Sequence, residues 1–546
     1  MGVQQFLAKV LNTAGREIDL RSYADIHGSR RSFRVAVDIA SVVYKATQGF
    51  GDMLADERHL DNYGRAELHR QRQEAETAAA ESAAAATSDE ANANNKPKPE
   101  YEWKVQKYVQ KCTQFVIDFL EQFRHAGIDV LVVLDGCTPP IKAREVRQRS
   151  DRRKEAEALR DAAVDDTNVN LQARLAGFRR AGAGKHFQLV IDGVIASMRS
   201  NRIPFLVAPY ESDGQLAFLS EKHYVDLIVT EDSDLIACGA SPILYKASMK
   251  KKNSDEKEGI CGMLLKMEDL SCAKDLDLMD FSSAMLAAVF VAAGSDYCEK
   301  LKGVGIVTAC DAARKAFFAN PKKIENRAPL EIFLEQIYKA SYTKNLTDEY
   351  KKEYENRFLG ALLVFRHPIV FNPITGRCEH FRFDDPDPEL VMYKPYADLV
   401  KDEVARASFV GEIRPSPLAC YIAEGWLDPR TMQPRQYARL PDCVDSCYKR
   451  WRRENFQKSR TTSENIPSKE STQSIGYAND AANSNEEVGE TVESPISIDA
   501  NSRGDELEDP GTQQPDPVTT THSDSYVENN DVDDQNDLLL ETQQPM

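Results

Sequence analysis

The stretch FLVAPYESDGQLAFLSEKHYVDLIVTEDSDLIACG at residues 205–239 decides the fold. FLVAP is a short apolar run that stops at a proline, and VDLIVT is a second apolar run, so both predict buried strands. The segment between them, which begins at Glu211 and Asp213, predicts a helix. Asp232 and Asp234 directly follow the second strand. The stretch therefore predicts a strand–helix–strand unit of an α/β fold, with a pair of acids after each strand.

Acids at the carboxyl ends of parallel strands meet at one edge of the sheet, where open α/β folds build their sites. Four carboxylates at that edge repel one another unless cations join them. Oxygen ligands suit hard divalent ions, Mg²⁺ or Mn²⁺. The alternative is that the acids only cap helices and interact with helix dipoles. That alternative explains one pair, whereas two pairs after successive strands favour a metal site.

Two more apolar runs also end in acids. VAVD places Asp38 at the end of a predicted buried strand, and VLVVL is followed by Asp135. Further along, an apolar helix ends at Gly294 and Asp296 follows it. The glycine pair of GVG, which comes next, lies between two predicted helices, where free backbone N–H groups can hold a phosphate. The GxG pattern is weak by itself, and its place after Asp296 strengthens it.

A basic run follows the strand that ends at Asp135. The sequence IKAREVRQRSDRRKEAEALR predicts a helix crowded with Lys142, Arg144, Arg147, Arg149, Arg152, Arg153 and Lys154. Lys142 and Arg149 are seven residues apart, which puts them on one helix face about 10 Å apart along the axis. Such runs are often only a solvated helix face. The excess of base over acid at this place favours contact with phosphates.

The net charge of −18 is concentrated at one end of the chain. Residues 461–546 hold 20 acids and 2 bases, which is −18, and residues 1–460 balance at 67 acids and 67 bases. Because the bases can be locally concentrated, the acidic pI does not exclude a nucleic-acid-binding protein. The Ser, Thr, Asn and Pro content of the tail predicts disorder, and residues 51–100, rich in Ala, Glu, Gln and Asn, predict an inserted segment.

The 11 cysteines form no CxxC pair and have no His cluster beside them. We therefore expect reduced thiols in an intracellular protein rather than a zinc site or a disulfide framework. The sequence contains no run of 18 apolar residues, and we expect no association with a membrane.

Taken together, the motifs resemble the flap-endonuclease/xeroderma-pigmentosum-G superfamily of structure-specific 5′ nucleases. The pieces that match, in the order of the family, are MGVQQFL, VAVD, VVLDGCTPPIK, LVAPYESDGQLAFL, VTEDSDLIACG, GSDYC and LKGVGIVTAC. The forms PYESDGQLA, DGCTPP and FRHPIVFNP are similar to its exonuclease 1 subfamily. The resemblance covers residues 1–50 and 101–410. It implies a PIN-like α/β core with a parallel sheet, a helical arch and a helix–two-turn–helix element.

The resemblance also implies roles for individual residues. Two Mg²⁺ ions about 4 Å apart, for which Mn²⁺ can substitute, would be held by an acid cluster. Its members are Asp38, Asp135, Glu211, Asp213, Asp232, Asp234 and Asp296. Lys142 and Arg149 of the arch would grip the scissile phosphate, and Tyr44 would stack on the terminal base. The expected DNA contacts, with K⁺ at the helix–two-turn–helix, are Arg144, Arg147, Lys302, Gly303 and Gly305.

The implied function is a 5′→3′ double-stranded DNA exonuclease with 5′-flap endonuclease activity. It would act as a monomer in nuclear DNA repair, in mismatch repair and recombination, with mismatch-repair proteins docking on the tail. Two departures keep alternatives open. Exonuclease 1 often has His where this chain has Tyr44, and residues 51–100 replace a short wedge of the family. The alternatives are a flap endonuclease of replication and a catalytically idle repair scaffold.

The expected domains follow these motifs. They are a first nuclease region split into 1–50 and 101–200 by the insertion 51–100, an internal nuclease region at 201–298, the helix–two-turn–helix and following helices at 299–365, a C-terminal extension at 366–460, and a disordered acidic tail at 461–546.

Overall fold

The computed structural model describes residues 4–28, 32–54, 100–162, 186–250, 259–320, 327–343 and 346–435. The chain divides into two units, Met1–Ile466 and Pro467–Met546, and every described residue belongs to the first. Most of the expected insertion and the acidic tail lie outside the described residues. None of the described helices combines the length and the apolar character that a membrane crossing requires.

One mixed sheet forms the centre of the fold, with the strand order β1-β7-β6-β5-β2-β3-β4. Its strands are β1 (Arg16–Asp19), β2 (Arg34–Asp38), β3 (Asp129–Leu134), β4 (Phe205–Val207), β5 (Leu227–Val229), β6 (Ile243–Lys250) and β7 (Gly259–Leu265). The five strands from β6 to β4 run parallel, and β7 is antiparallel to both of its neighbours. A separate hairpin joins β8 (Ile369–Asn372) to β9 (Arg377–His380). The expected α/β class with a mostly parallel sheet is confirmed.

Sixteen helices are described, and several of them cover the two faces of the sheet. They are α1 (Gln4–Thr13), α2 (Leu20–His27), α3 (Ile39–Gly49), α4 (Glu100–His125), α5 (Ala143–Ala162), α6 (Phe187–Ser200), α7 (Ser212–Glu221), α8 (Asp234–Ala237), α9 (Ser283–Ala293), α10 (Ile306–Phe317), α11 (Pro329–Ala340), α12 (Asp348–Arg366), α13 (Pro388–Val391), α14 (Lys394–Lys401), α15 (Glu403–Val410) and α16 (Ser416–Ala423).

Alternating strand residues supply two cores, one on each side of the sheet. Ala36 and Val133 pack in one core with α7 and α9, whereas Val37 and Val132 pack in the other with α3, α4 and α6. All four side chains are fully buried, and each buried valine contributes about 1.5–3 kcal/mol. Because both faces are covered, these strands read as continuous apolar runs. The parallel pairing aligns Asp38 with Val133 and Leu134 with Val207, which brings the strand ends together at one edge.

Helices α3 and α4 pack directly against each other. The ring of Phe50, which follows α3, meets the ring of Phe115 edge to face, with 6.2 Å between centroids. The hydroxyl of Tyr108 in α4 donates a hydrogen bond to the carbonyl of Thr47 at 3.3 Å. A 3₁₀ turn at Gly51–Leu54 follows α3, and the next described residue, Glu100, begins α4. The two ends of the gap in the described residues therefore belong to two helices that pack together.

The basic helix begins later than the sequence predicts. Lys142 is the last residue of a 3₁₀ turn, Pro140–Lys142, and α5 begins at Ala143. Pro139 and Pro140 lack N–H donors and restrict the residues before them, so regular helix starts only after them. The expectation that Lys142 and Arg149 share one helix is therefore wrong for Lys142.

The last described segment packs back onto α6 and onto the residues that follow β4. Arg435 pairs with Asp192 of α6, and the Arg199 guanidinium lies 3.6 Å from the centroid of the Trp426 ring. Gly411 has a φ of +96°, and a Cβ at that position would lie 2.1 Å from the hydroxyl oxygen of Tyr210. This close approach requires glycine.

Candidate active site

The ends of four adjacent parallel strands carry the predicted acids. Asp38 is the last residue of β2, and Asp135 directly follows β3. Glu211 caps helix α7 after β4, while Asp232 lies between β5 and α8. In the order β5-β2-β3-β4 these strand ends are neighbours. The structure thus places the predicted acids along one edge of the sheet.

Asp38 is tied to the neighbouring strand by a side-chain hydrogen bond. Thr230 Oγ1 donates to Asp38 Oδ2 at 2.8 Å, and the amide of Ala40 donates to Oδ1 at 3.1 Å. The second contact caps the N-terminus of α3. Asp38 therefore both caps a helix and faces the acid cluster. At this residue a capping role and a place in the site are both true.

Similar hydroxyl and amide contacts orient the other acids. Asp135 Oδ1 accepts hydrogen bonds from the amide and from the hydroxyl of Ser212, both at 2.8 Å. Asp232 Oδ1 accepts from the amide of Asp234 at 3.0 Å. Asp234 Oδ1 is buried and has no hydrogen-bond partner among the described residues. An unpaired buried carboxylate oxygen is costly unless a cation completes it.

Two cations of the arch segment reach into the acid cluster. Lys142 Nζ donates to Glu211 Oε1 and lies 3.0 Å from Asp296 Oδ2. Arg149 Nη2 lies 2.6 Å from Asp296 Oδ1, and Arg149 Nε donates to Glu145 at 2.9 Å. The turn at Lys142 and the first part of α5 are thus fixed to acids from β4 and from the end of α9.

Burial and mutual repulsion raise the pKa values of Asp38, Asp213 and Asp234. Burial raises the pKa of Asp38 to about 7, with the charge of Asp135 adding to it. Burial, and then repulsion from Asp232, raises the pKa values of Asp213 and Asp234 well above the ordinary range. Asp296 differs, because the attraction of its two cationic neighbours outweighs burial and lowers its pKa. Carboxylates that resist ionisation together favour an added positive charge.

The donor set suits a hard divalent cation. All the clustered candidate ligands are carboxylate oxygens, and Asp234 Oδ1 has no hydrogen-bond partner among the described residues. In the described ranges, no group of three or more His, Cys, Asp or Glu side chains is arranged so that it could hold a metal ion. Lys142 is instead the cation that Glu211 and Asp296 hold in this structure. The donor atoms and their accumulated negative charge suit a divalent cation, and Lys142 is the present counter-ion of Glu211 and Asp296.

The other predicted residues surround this edge or lie farther along the chain. Tyr44 of α3 is 54% exposed. Arg144 lies 3.4 Å from Glu299, and Arg147 is exposed on α5. Lys302 is exposed in the turn before α10.

The two glycines of that turn differ in their surroundings. Gly303 has a φ of +88°, and a Cβ there would lie 2.5 Å from the ring of Tyr342. Gly305 precedes α10 with open space around its Cα. The predicted glycine turn between two helices is therefore present.

Three hydroxyl-bearing residues of the site were not predicted. Thr230 and Ser212 hold Asp38 and Asp135, and Tyr297 donates to Glu211 Oε2. Each is next to, or within two residues of, a predicted acid in the sequence. Adjacency was the available signal, but only the folded chain shows which acid each hydroxyl contacts.

Comparison with known proteins finds one family model and several similar sequences. Residues 202–296, which hold five of the seven acids, match the model of the XPG I-region. Exonuclease 1 of Arabidopsis thaliana is 29% identical over 323 residues, which are 59% of this chain and 38% of that protein. Over these residues the chain is similar to the XPG and flap-endonuclease superfamily. Another similar member is exodeoxyribonuclease 1 of Schizosaccharomyces pombe, 26% identical over 61% of this chain and 50% of that protein.

A third superfamily member is flap endonuclease 1 of Ostreococcus lucimarinus, 26% identical over 45% of this chain and 55% of that protein. The chain thus spans between about a third and about a half of the curated superfamily members it most resembles. Among solved structures, the catalytic core of Rad2 in complex with DNA substrate is 18% identical, covering 73% of this chain and 94% of that one, with a TM-score of 0.36. That overlay is too loose to support an argument about the site.

Proposed function

We propose that this chain is a divalent-metal-dependent 5′→3′ exonuclease of double-stranded DNA that also cleaves 5′ flaps and acts in DNA repair. The observation that carries the proposal is the pairing of Lys142 and Arg149 with Glu211 and Asp296 at the edge where the strand acids meet. Hydrolysis of a phosphodiester requires cations that balance the charge on the phosphate. It also requires acids beside them that can hold the metal ions. The exonuclease 1 relatives support the choice of reaction.

In this proposal the metal ligands are the seven acids, with Asp135, Glu211, Asp213 and Asp232 nearest the ions. Bound Mg²⁺ would lower the pKa of an attacking water and offset charge on the leaving oxygen. Lys142 and Arg149 would leave their acids for the scissile phosphate and balance the charge that grows on it. No side chain of the chain is required as a covalent nucleophile.

Further contacts would hold the DNA around this site. Tyr44 would stack on the terminal base, and Arg144 and Arg147 would contact the phosphates of the cleaved strand. The turn with Lys302, Gly303 and Gly305 would hold the uncleaved duplex strand with K⁺. Because Gly303 has positive φ, its amide orientation is available to few other residues.

The proposal extends to the cell and to the domain division. The protein would act as a monomer in the nucleus, with mismatch-repair proteins bound to residues 461–546, and Mn²⁺ would replace Mg²⁺ in the reaction. The nuclease body would comprise the regions 1–50, 101–200, 201–298, 299–365 and 366–460, interrupted at 51–100.

A digestion series on nicked, recessed and 5′-flapped duplexes with Mg²⁺ tests the function. Mononucleotides released from the 5′ end of recessed duplex, together with cut flaps, support the proposal. Released flaps without mononucleotides indicate a replication-type flap endonuclease. If no substrate is cleaved with Mg²⁺ or Mn²⁺, the protein is a repair scaffold and the proposal is wrong.

A further inference from the structure

The phenol of Tyr297 contacts both an acid and a cation of the site. Its hydroxyl donates a hydrogen bond to Glu211 Oε2. The face of its ring lies under Lys142, with Nζ 5.6 Å from the ring centroid. Lys142 in turn donates to the other oxygen of the same carboxylate, Glu211 Oε1. The three side chains therefore form a closed triangle of contacts.

The position of Tyr297 is fixed from behind, independently of the groups it holds. The ring packs edge to face against Phe365, with 5.2 Å between centroids and an interplanar angle of 80°. Arg357 Nε donates to the backbone carbonyl of Tyr297 at 3.1 Å. The side chain is only 3% exposed. A rigid, buried phenol can restrict its partners, whereas a mobile one would follow them.

We infer that Tyr297 is a positioning residue that orients Glu211 through its hydroxyl and keeps Lys142 beside the acid cluster through its ring. This inference rests on the proposed function, since it assigns Tyr297 to the same metal-dependent site. A hydroxyl that donates to an ionised carboxylate makes a strong, directional contact. An ammonium within about 6 Å of an aromatic centroid is attracted to the ring face.

The two contacts affect different steps. Fixing Glu211 keeps one carboxylate oxygen oriented toward the acid cluster, which prepares the group for a metal ion. Supporting Lys142 keeps its ammonium beside the cluster when the acids are taken by metal. Tyr297 thereby links metal binding to the position of the arch cation without itself touching either the metal or the substrate.

Mn²⁺ binding to the full-length chain in the absence of DNA tests the hydroxyl, with free Mn²⁺ measured by electron paramagnetic resonance. Tyr297→Phe should weaken binding about 10-fold or more, as loss of an outer partner of a metal ligand does, with little change in thermal unfolding. The matched control is Tyr354→Phe. Tyr354 is also buried, and its hydroxyl has no hydrogen-bond partner among the described residues, so its Mn²⁺ binding should equal that of the wild type.

Equal Mn²⁺ affinity in wild type and Tyr297→Phe would overturn the role of the hydroxyl. Failure of the wild-type chain to bind Mn²⁺ is a different result, because it overturns the proposed function and removes the site. The ring is tested by single-turnover cleavage in a double-mutant cycle. Tyr297→Leu should lower the cleavage rate more than Tyr297→Phe does. This additional loss should disappear when both changes are made in the Lys142→Met background. An extra loss that persists in full there means that the ring only packs, and it overturns the role of the ring.

Discussion

Arg149 and Asp296 are 147 residues apart in the chain, yet Arg149 Nη2 lies 2.6 Å from Asp296 Oδ1. This pair joins the first turns of α5 to the loop after α9. A cation already placed beside the acid cluster needs little reorganisation to meet a phosphate there, and such preorganised charge is usually the largest contribution to catalysis.

The first prediction concerns these arch cations. Lys142→Ala and Arg149→Ala should each lower the single-turnover cleavage rate about 100-fold or more, since each removes charge beside the reacting phosphate. DNA affinity should change much less. Rapid-quench cleavage of a 5′-flap duplex and a separate binding titration in Ca²⁺ measure the two effects.

Arg147→Ala is the matched control on the same helix. Arg147 is exposed on α5 and makes no ion pair that the structure describes, so its loss should reduce DNA affinity and the salt dependence of binding while the rate at saturation stays unchanged. If the Lys142 and Arg149 variants behave in that same way, they are ordinary phosphate contacts and have no part in the chemical step.

The second prediction concerns the acids. Asp232→Ala should abolish cleavage with Mg²⁺, a loss greater than the 10–100-fold typical for outer partners of metal ligands. DNA binding should be kept or increase, because one negative charge near the phosphates is removed. The neighbouring variant Glu231→Gln is the control, since Glu231 turns away from the cluster to pair with Lys45 at 3.0 Å. Substantial cleavage by Asp232→Ala would contradict the assignment of this acid.

The third prediction concerns the acidic end of the chain. Truncation after Arg460 should preserve nuclease activity, because every proposed site residue precedes it. Residues 461–546 carry a charge of −18, so the shortened protein should bind duplex DNA equally well or better at low salt. The difference should shrink as salt rises. Binding and cleavage of a recessed duplex at two salt concentrations provide the measurement. Loss of turnover at both concentrations would show that the removed segment belongs to the working enzyme.

The fourth prediction concerns pH and stability, and it follows from His367. Its ring is fully buried, Nδ1 donates to the carbonyl of Phe381 at 3.2 Å, and Nε2 has no partner among the described residues. Burial lowers the pKa of His367 from 6.5 to about 4. The unfolded chain therefore gains a proton on this residue below pH 6.5 and the folded chain only near pH 4.

Stability should accordingly fall as pH drops from 6.5 toward 4, with a slope of up to about 1.4 kcal/mol per pH unit from this ring. Urea unfolding across that window measures it. Burial also lowers the pKa of His380, which acts in the same direction. The comparison is therefore with His367→Gln, whose slope should be smaller. Equal slopes in both proteins would rule out His367 as the source.

The strand ends that carry the site could be predicted from sequence, because a short local pattern identifies each of them. An apolar run that stops at an acid, as before Asp38 and Asp135, identifies a strand and the edge where it ends. The order of β5, β2, β3 and β4 then makes the acids neighbours. Ala36 and Val133 belong to one core and Val37 and Val132 to the other, so a slip by one residue would exchange the side chains between the two cores.

Other features depend on contacts between distant parts of the chain. The pairing of Arg435 with Asp192 spans 243 residues, and no local pattern indicates it. Tyr297 reads as one more apolar residue after Asp296, and its contact with Glu211 exists only once α9 has packed against the sheet. The two prolines before α5 indicate its late start. The prediction from sequence placed Lys142 in the helix because it followed the run of basic residues instead.

Because α3 and α4 pack against each other, the number of residues that connect Leu54 to Glu100 can change at little cost in stability. The chain departs at Leu54 and returns at Glu100 next to helices that are already held together through Tyr108 and Phe115. With both anchors fixed, the loop-closure entropy grows only with the logarithm of the number of intervening residues, about 0.6 kcal/mol per doubling. Whole segments can therefore be gained or lost between these anchors during evolution while the acid edge of the sheet stays intact.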